Sequence, residues 1–221
     1  MKRLFIFGMC ILAVMCLVSC YPEGPDYVHE KDIALTHYDE KADFSAYKTF
    51  VIPDSVVIIQ ADRDSSMINQ EFKKKIIALV KENFEACHYR FLTAEEAAHE
   101  TPDFVVTISA FASPTFNFAS WGDYWGWYPG WGWFGWGSPW GGYYPWYPWY
   151  GGYTYYAYDK GTLVIDMLDP RKADEDSKRI PVMWTGVING ILAGSQAYLD
   201  ERVEKNVDQC FMQSPYLKTT K

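Results

Sequence analysis

The fold is decided by two apolar runs, Thr162-Leu163-Val164-Ile165-Asp166-Met167-Leu168 and Ile180-Pro181-Val182-Met183-Trp184-Thr185-Gly186-Val187-Ile188. Both are rich in β-branched and aromatic side chains, which is typical of strands. The connection between them, residues 169–179, is highly charged and begins with Asp169-Pro170. The two runs therefore predict a β-hairpin with a long solvated loop.

Outside this hairpin, three segments predict strands: residues 32–38, 47–52 and 103–111. Apolar side chains recur every three or four residues from Asp64 to Cys87, and again from Ser195 to Phe211, which predicts two amphipathic helices capped by Asp64 and Ser195. The order β-β-α-β-insertion-β-β-α predicts an α+β fold. We expect an antiparallel sheet of about five strands with both helices on one face.

The first residues have the order of a secretory signal. Lys2 and Arg3 precede an apolar run that is too short to span a bilayer comfortably. The tetrad Leu17-Val18-Ser19-Cys20 resembles the lipobox of bacterial lipoproteins, in which the signal is cut before the cysteine and the cysteine is acylated. We therefore expect residues 1–19 to be removed as a signal peptide and Cys20 to carry a covalent lipid with chains such as palmitate.

The lipid would anchor the protein to the cell envelope. Each buried methylene of an acyl chain contributes about 0.8 kcal/mol, so two or three chains hold a domain on a membrane essentially permanently. Tyr21 stands where an Asp favours the inner membrane in the usual Gram-negative pattern, which favours the outer membrane and leaves its periplasmic and surface sides open. Residues 20–31 contain Pro, Gly and charges and are expected to be a tether, followed by a single domain over residues 32–221.

Composition excludes one class of partner. Loss of residues 1–19 would remove two basic residues and no acidic one, which changes the formal net charge from −8 to −10. An acidic surface repels phosphate backbones and anionic headgroups. We therefore expect no nucleic-acid partner, and membrane attachment through the lipid anchor.

An aromatic insertion separates the strand 103–111 from the hairpin, at about residues 116–158. It lacks helix or strand periodicity, contains ten of the tyrosines and Asp123 as its only charge, and holds nine of the ten tryptophans: Trp121, Trp125, Trp127, Trp131, Trp133, Trp136, Trp140, Trp146 and Trp149. Because it leaves one strand and returns into another, its ends are expected to lie close together.

Three interpretations of the insertion stay open. It could cover the sheet face that the helices leave free, its rings could bind an envelope glycan or a partner protein, or it could enter the headgroup region of the membrane. The near absence of Leu, Ile and Val favours an interface or a ligand over a dry core. The nine tryptophans are accordingly the candidate binding residues.

Motifs for catalysis and metal binding are missing from the sequence. His29, His37, His88 and His99 are scattered without zinc-ligand spacing, and no nucleophile elbow, phosphate loop or dinucleotide fingerprint occurs. We therefore expect no metal site and no cofactor apart from the lipid on Cys20.

Two further pairs of residues are candidates for a catalytic site and for a disulfide. Asp166 and Asp169 are the alternative, a carboxylate pair for a glycan-acting enzyme, although a strand position and a turn explain them more simply. Cys87 and Cys210 remain after processing, each at the end of a helix. They could form a disulfide if the two helices pack in parallel, or stay buried and separate.

Several strings resemble one bacterial family. They are Asp43-Phe44-Ser45-Ala46-Tyr47-Lys48-Thr49-Phe50, Thr101-Pro102-Asp103-Phe104-Val105-Val106, Gly161-Thr162-Leu163-Val164-Ile165-Asp166-Met167-Leu168-Asp169 and Trp184-Thr185-Gly186. These are similar to the domain of unknown function 4136 family of Bacteroidetes-type lipoproteins. The resemblance covers most of the mature chain, implies an α+β lipoprotein domain and implies no catalytic residue. The sequence thus predicts a non-catalytic lipoprotein with a structural or binding role.

Overall fold

The structure, a computed structural model, describes residues 33–59, 69–111, 143–148, 161–189 and 196–219. These ranges contain eight strands and three α-helices, together with short 3-10 turns. In chain order the elements are β1 (Ile33–Tyr38), β2 (Thr49–Val51), β3 (Val57–Ile59), α1 (Gln70–Ala86), β4 (Arg90–Phe91), α2 (Ala94–Ala97), β5 (Phe104–Phe111), β6 (Tyr144–Trp146), β7 (Thr162–Leu168), β8 (Arg179–Asn189) and α3 (Gln196–Met212).

The strands form one sheet in the order β1-β8-β7-β5-β2-β4. The hairpin predicted from the sequence lies at its centre, because β7 pairs antiparallel with β8 and with β5. β1 pairs antiparallel with β8, whereas β2 and β3 follow one another along β5 and are both parallel to it. β4 is parallel to β2, and β6 is parallel to β8 at residues 179–181.

Both long helices pack on one face of the sheet. In α1 the Asn69 side chain accepts a hydrogen bond from the Phe72 backbone N–H at 2.7 Å and caps the helix. The two helices run parallel, because Lys75 lies 3.5 Å from Asp200 and the Asn83 amide donates to Asp208 at 2.9 Å further along. No helix in the described ranges is both long and apolar enough to cross a membrane.

Phe84 of α1 is central to the core beneath the helices and is fully buried. Its ring contacts Phe211 at 4.9 Å and Trp184 at 5.9 Å between centroids, both nearly perpendicular, and also Phe50 and Phe104 at 5.5 Å each. Edge-to-face aromatic pairs of this kind stabilise a core beyond their buried area. Phe84 therefore joins both helices to β2, β5 and β8.

At β5 and β7 the sheet is buried on its second face as well. In β5 and β7 every residue is buried, although only alternate residues can face the helices. Ile108, Ile165 and Trp184 belong to the core on the helix side, so their neighbours in sequence project to the opposite face. Both faces of β5 are therefore buried.

The α+β class, the hairpin and the two amphipathic helices on one face are confirmed, but two details of the prediction are wrong. The sheet has eight strands rather than about five, and four of its pairings are parallel. β3 and β6 have three residues each, which is too short to show periodicity.

The helices differ from the prediction at their ends. The third helix, α2, is a single turn closed by a capping box between Thr93 and Glu96. α1 is capped by Asn69, while the predicted caps Asp64 and Ser195 lie outside the described residues.

Candidate functional site

A polar side chain stands in each of four neighbouring strands, on the sheet face away from the helices. Thr107 of β5 lies opposite Asp166 of β7, Asp166 lies opposite Thr185 of β8, and Thr185 lies opposite His37 of β1. Directly opposed residues project to the same face of a sheet. These four residues, here called the polar row, therefore form a continuous line. His37 is partly buried, and the other three are at most 3% exposed.

Asp166 is the ionisable group at the middle of the polar row and is completely buried. The Tyr147 hydroxyl donates a hydrogen bond to Asp166 Oδ2 at 2.8 Å. Burial raises the pKa of Asp166 to about 7, and the hydroxyls of Thr185 and Tyr147, which favour the charged form, offset this only in part. Although Thr185 is close enough for that effect, its Oγ1 makes no hydrogen bond of ordinary geometry.

Three residues of the polar row carry side-chain oxygens that lack a hydrogen-bond partner. In the part of the chain that the structure describes, Asp166 Oδ1, Thr107 Oγ1, Thr185 Oγ1 and the nearby Ser109 Oγ are buried without a hydrogen bond. Buried polar atoms are normally paired, and each unpaired one costs about 1–3 kcal/mol. Four such atoms close together on one sheet face make this the candidate site in the described residues, because their side chains can still form hydrogen bonds.

Residues 143–148, here called the docked segment, attach the aromatic insertion to this face. β6 lies within it and pairs in parallel with residues 179–181 of β8. Lys178 Nζ lies 4.8 Å above the Tyr143 ring in a cation–π contact. Tyr143 and Tyr147 are both buried. Three kinds of contact thus hold the docked segment: backbone pairing, a cation–π contact and the hydrogen bond from Tyr147 to Asp166.

The two ends of the insertion leave the sheet side by side. Phe111 at the end of β5 pairs with Thr162 at the start of β7, and the Gly161 backbone N–H donates to the Phe111 carbonyl at 2.8 Å. Gly161 has a φ of 97°, in the left-handed region that favours glycine. The described residues that flank the insertion, Phe111 and Gly161, thus lie side by side, while residues 116 and 158 lie outside the described residues.

A second polar cluster surrounds Asp169, where the loop after β7 begins. The Tyr47 hydroxyl donates to Asp169 Oδ2 at 2.9 Å, and Arg171 donates to Asp169 Oδ1 from its backbone N–H at 3.0 Å and from Nε at 3.1 Å. Arg171 also donates to Asp103 at 2.6 Å, and Asp103 accepts from the backbone N–H groups of Lys48 and Thr49. This cluster joins the starts of β2 and β5 to the end of β7, and its role is to stabilise the fold there.

Asp166 and Asp169, the alternative catalytic pair, have different surroundings. Asp166 bonds to the docked segment on the face away from the helices. Asp169 bonds to Tyr47, which packs against Phe104 in the core on the helix side. Both carboxylate oxygens of Asp169 are occupied by Tyr47 and Arg171. The arrangement lacks the two carboxyls facing one cleft that glycoside hydrolysis requires.

Of the other predicted site residues, the structure describes only some. Trp146 lies in β6 and is partly buried, while the remaining eight candidate tryptophans and Cys20 lie outside the described residues. In the described ranges, no group of His, Cys, Asp and Glu is arranged to hold a metal ion.

The possible disulfide is absent from the structure, where Cys87 and Cys210 are both free, buried thiols. The helices are parallel, as the bridge would need, but Cys210 is directed at the sheet. Its Sγ lies 3.3 Å from where a Cβ on Gly186 would stand. Burial raises the pKa of Cys210 to about 12 and also raises that of Cys87, which disfavours the thiolate that disulfide formation requires.

Sequence reasoning missed most of the polar row. In the sequence alone, Thr107 and Thr185 are ordinary strand residues, His37 is one of four scattered histidines, and Tyr147 is one of ten tyrosines in the insertion. A signal was present, because each of the four strands carries a polar residue within an apolar run. What the sequence lacked was the register that places these residues opposite one another.

Comparison with known proteins gives a family. The family model described as Domain of unknown function (DUF4136) matches residues 34–216. No curated protein is similar enough to count as a match.

Two solved structures are similar to the chain. A DUF4136 family protein from Bacteroides thetaiotaomicron, solved by crystallography, is 25% identical, with 86% of this chain and 98% of that chain covered and a TM-score of 0.59. The PelC dodecamer from Paraburkholderia phytofirmans is 8% identical, with 86% and 99% covered and a TM-score of 0.39. The first supports the fold described above, and the second likeness is too weak to support more.

Proposed function

This chain belongs to the DUF4136 family, whose function is unknown, and from its own residues we propose that it is a non-catalytic, lipid-anchored protein of the cell envelope. Cys20 carries the anchor, in the outer membrane. The Trp/Tyr-rich insertion is its binding surface, and the ligand class we favour is an envelope polysaccharide.

The docked segment is the observation that carries this proposal. Both ends of the insertion are fixed at neighbouring strands, and residues 143–148 are held on the sheet by β6 pairing and by Tyr147. An aromatic segment of about forty residues that is fastened at three points has less freedom to lose on binding than a free tail has. The sheet would thus act as a scaffold for the rings.

Chemistry favours a polysaccharide among the possible ligands. Trp and Tyr rings stack on the apolar faces of sugars and give a large contact area at low entropy cost. The acidic balance of the chain, 28 Asp and Glu against 20 Lys and Arg, opposes contact with anionic headgroups. Binding of an envelope protein and contact with the membrane interface are the competing outcomes. Hydrolysis by Asp166 and Asp169 is disfavoured because the partners of Asp169 occupy both of its oxygens.

Two replacements by a Gly/Ser linker test the proposal in the mature lipoprotein. The first replaces residues 119–140, which removes seven tryptophans and keeps the docked segment. The second replaces residues 119–157 and removes the docked segment as well. Both should fold, because the cost of closing a loop changes only logarithmically with its length. The second should have the lower melting temperature, because it lacks Tyr147 and β6.

Binding is measured with insoluble peptidoglycan, an array of bacterial polysaccharides, and phosphatidylethanolamine/phosphatidylglycerol vesicles. The proposal expects the 119–140 replacement to unfold cooperatively, as the parent does, and to lose polysaccharide binding. Loss of vesicle binding alone, measured with protein produced without residues 1–20 so that no acyl chain holds it on the vesicle, would indicate a membrane role. If the 119–140 replacement abolished cooperative unfolding, the insertion would be a cover for the sheet and the proposal would be wrong.

A further inference from the structure

The hydrogen bond that holds the docked segment is accepted by Asp166, a carboxylic acid with no positively charged partner among the described residues. Tyr147 is the donor, and in the described ranges no Lys, Arg or His forms an ion pair with Asp166. We propose that protonation of Asp166 controls this attachment, so that residues 143–148 are held tightest when Asp166 is neutral and loosen when it ionises.

Among the described residues, the groups that face Asp166 are all uncharged. β5 presents Thr107 and Ser109, β8 presents Thr185, and the docked segment presents the Tyr147 hydroxyl. The nearest titratable group along the polar row in the described strands is His37, beyond Thr185. Burial lowers the pKa of His37, which keeps the imidazole neutral at neutral pH. No described neighbour therefore supplies a positive charge that would compensate a buried carboxylate.

Protonation also changes the hydrogen bonding of the row. A neutral carboxyl group has an O–H that can donate to a neighbouring oxygen, while its other oxygen still accepts from Tyr147. Oδ1 of Asp166 and the hydroxyls of Thr107 and Thr185 are among the buried atoms of the described ranges that lack partners. An ionised Asp166 instead requires solvation, and release of the docked segment would admit water to it.

The direction of the pH effect follows from proton linkage. With the segment docked, burial raises the pKa of Asp166 to about 7, whereas a solvated Asp has its ordinary value of 3.8. Between these values the docked state holds a proton that the released state has lost. The docking equilibrium constant should therefore fall by up to about tenfold per pH unit between about pH 4 and pH 7 and be level above pH 7. Any consequence for ligand binding rests on the proposed function, but docking itself does not.

Hydrogen exchange of the mature lipoprotein in detergent measures docking directly. Tyr143, Tyr144, Trp146 and Tyr147 are the residues of the docked segment that carry a backbone N–H. The protection factors of these amides, corrected for the intrinsic effect of pH on exchange, are followed from about pH 4.5 to about pH 8.5. Amides of α1 that exchange by local opening, which leaves Asp166 buried, serve as the internal reference. We expect the protection of residues 143–148 to fall by at least tenfold up to about pH 7 and then level off, while that of α1 stays constant. No pH dependence at residues 143–148 would overturn the proposal, and this result needs no variant.

Two matched substitutions assign the effect to Asp166. Asp166→Asn keeps the shape and cannot ionise, so protection should become independent of pH. Asp54→Asn makes the same chemical change at an exposed position and should leave the profile of the parent unchanged. If Asp166→Asn folded and kept the parent profile, Asp166 would not be the controlling group. Because no ligand is present in this measurement, its failure leaves polysaccharide binding untouched, and failure of polysaccharide binding leaves the pH profile intact.

Discussion

Gly186 in β8 should not tolerate even one added methyl group. A Cβ at this position would lie 2.9 Å from Trp184 Cη2 and 3.3 Å from both Cβ and Sγ of Cys210. Trp184 is completely buried, and its Nε1 donates to the Ser214 hydroxyl at 2.8 Å, so the indole ring cannot simply turn aside. The glycine is thus required because α3 packs so closely on the sheet.

The size of the effect follows from this contact. Adding a methylene to a well-packed core costs about 1–3 kcal/mol, because neighbouring side chains and backbone must shift. For a chain of this length, 1 kcal/mol corresponds to about 2–4 °C in melting temperature. We therefore expect Gly186→Ala to lower the free energy of unfolding by about 1–3 kcal/mol and the melting temperature by roughly 2–12 °C.

Chemical denaturation of the parent, Gly186→Ala, Trp184→Phe and the double variant forms a double-mutant cycle. Phe lacks the Cη2 atom that a Cβ on Gly186 would meet. The cost of Gly186→Ala should therefore fall below about 1 kcal/mol in the Trp184→Phe background. An equal cost in both backgrounds would refute the reasoning, because the contact with Trp184 would then not be the cause.

Three other predictions concern the anchor, the Asp169 cluster and the thiols. The mass of membrane-extracted protein should show loss of residues 1–19 and added acyl chains, whereas Cys20→Ala should stay unprocessed or become soluble; a cleaved but unlipidated native N-terminus would contradict this. Tyr47→Phe should cost about 1–3 kcal/mol in denaturant unfolding, because it leaves the buried Asp169 with one donor fewer, and an unchanged midpoint would count against that role. Thiol titration of the denatured, unreduced mature protein should find Cys87 and Cys210 both free, and finding neither would show a bridge.

Hydrophobic patterning was sufficient for the elements that bury many residues. β5, β7 and β8 are long apolar runs, and α1 repeats its apolar side chains at helical spacing, so each could be predicted from local sequence. β3 and β6 could not be predicted, because a three-residue strand is specified by the neighbour with which it pairs. The parallel pairings of β2 and β3 with β5 depend on chain crossovers, which periodicity does not encode.

Prediction of the site was limited by register. The sequence offers Asp166 and Asp169 as a carboxylate pair because both stand close to the aromatic insertion along the chain. The structure gives the two carboxyls different partners, Tyr147 for Asp166 and Tyr47 for Asp169. Cross-strand pairing places Thr107 and Thr185 on either side of Asp166, and this depends on long-range contacts that no local pattern reveals.

The interpretations of the insertion can now be separated along the chain. β5 and β7 are buried on both faces and so need a second layer, and residues 143–148 contribute to that layer through Tyr143 and Tyr147. Covering the sheet therefore explains these six residues, and it also explains why aromatic side chains with polar ends occur there, since Tyr147 must reach Asp166. The seven tryptophans in residues 121–140 are not needed for those contacts. The proposed binding function is assigned to them, and the 119–140 replacement, which removes them and keeps the docked segment, is therefore a sharper test than removal of the whole insertion.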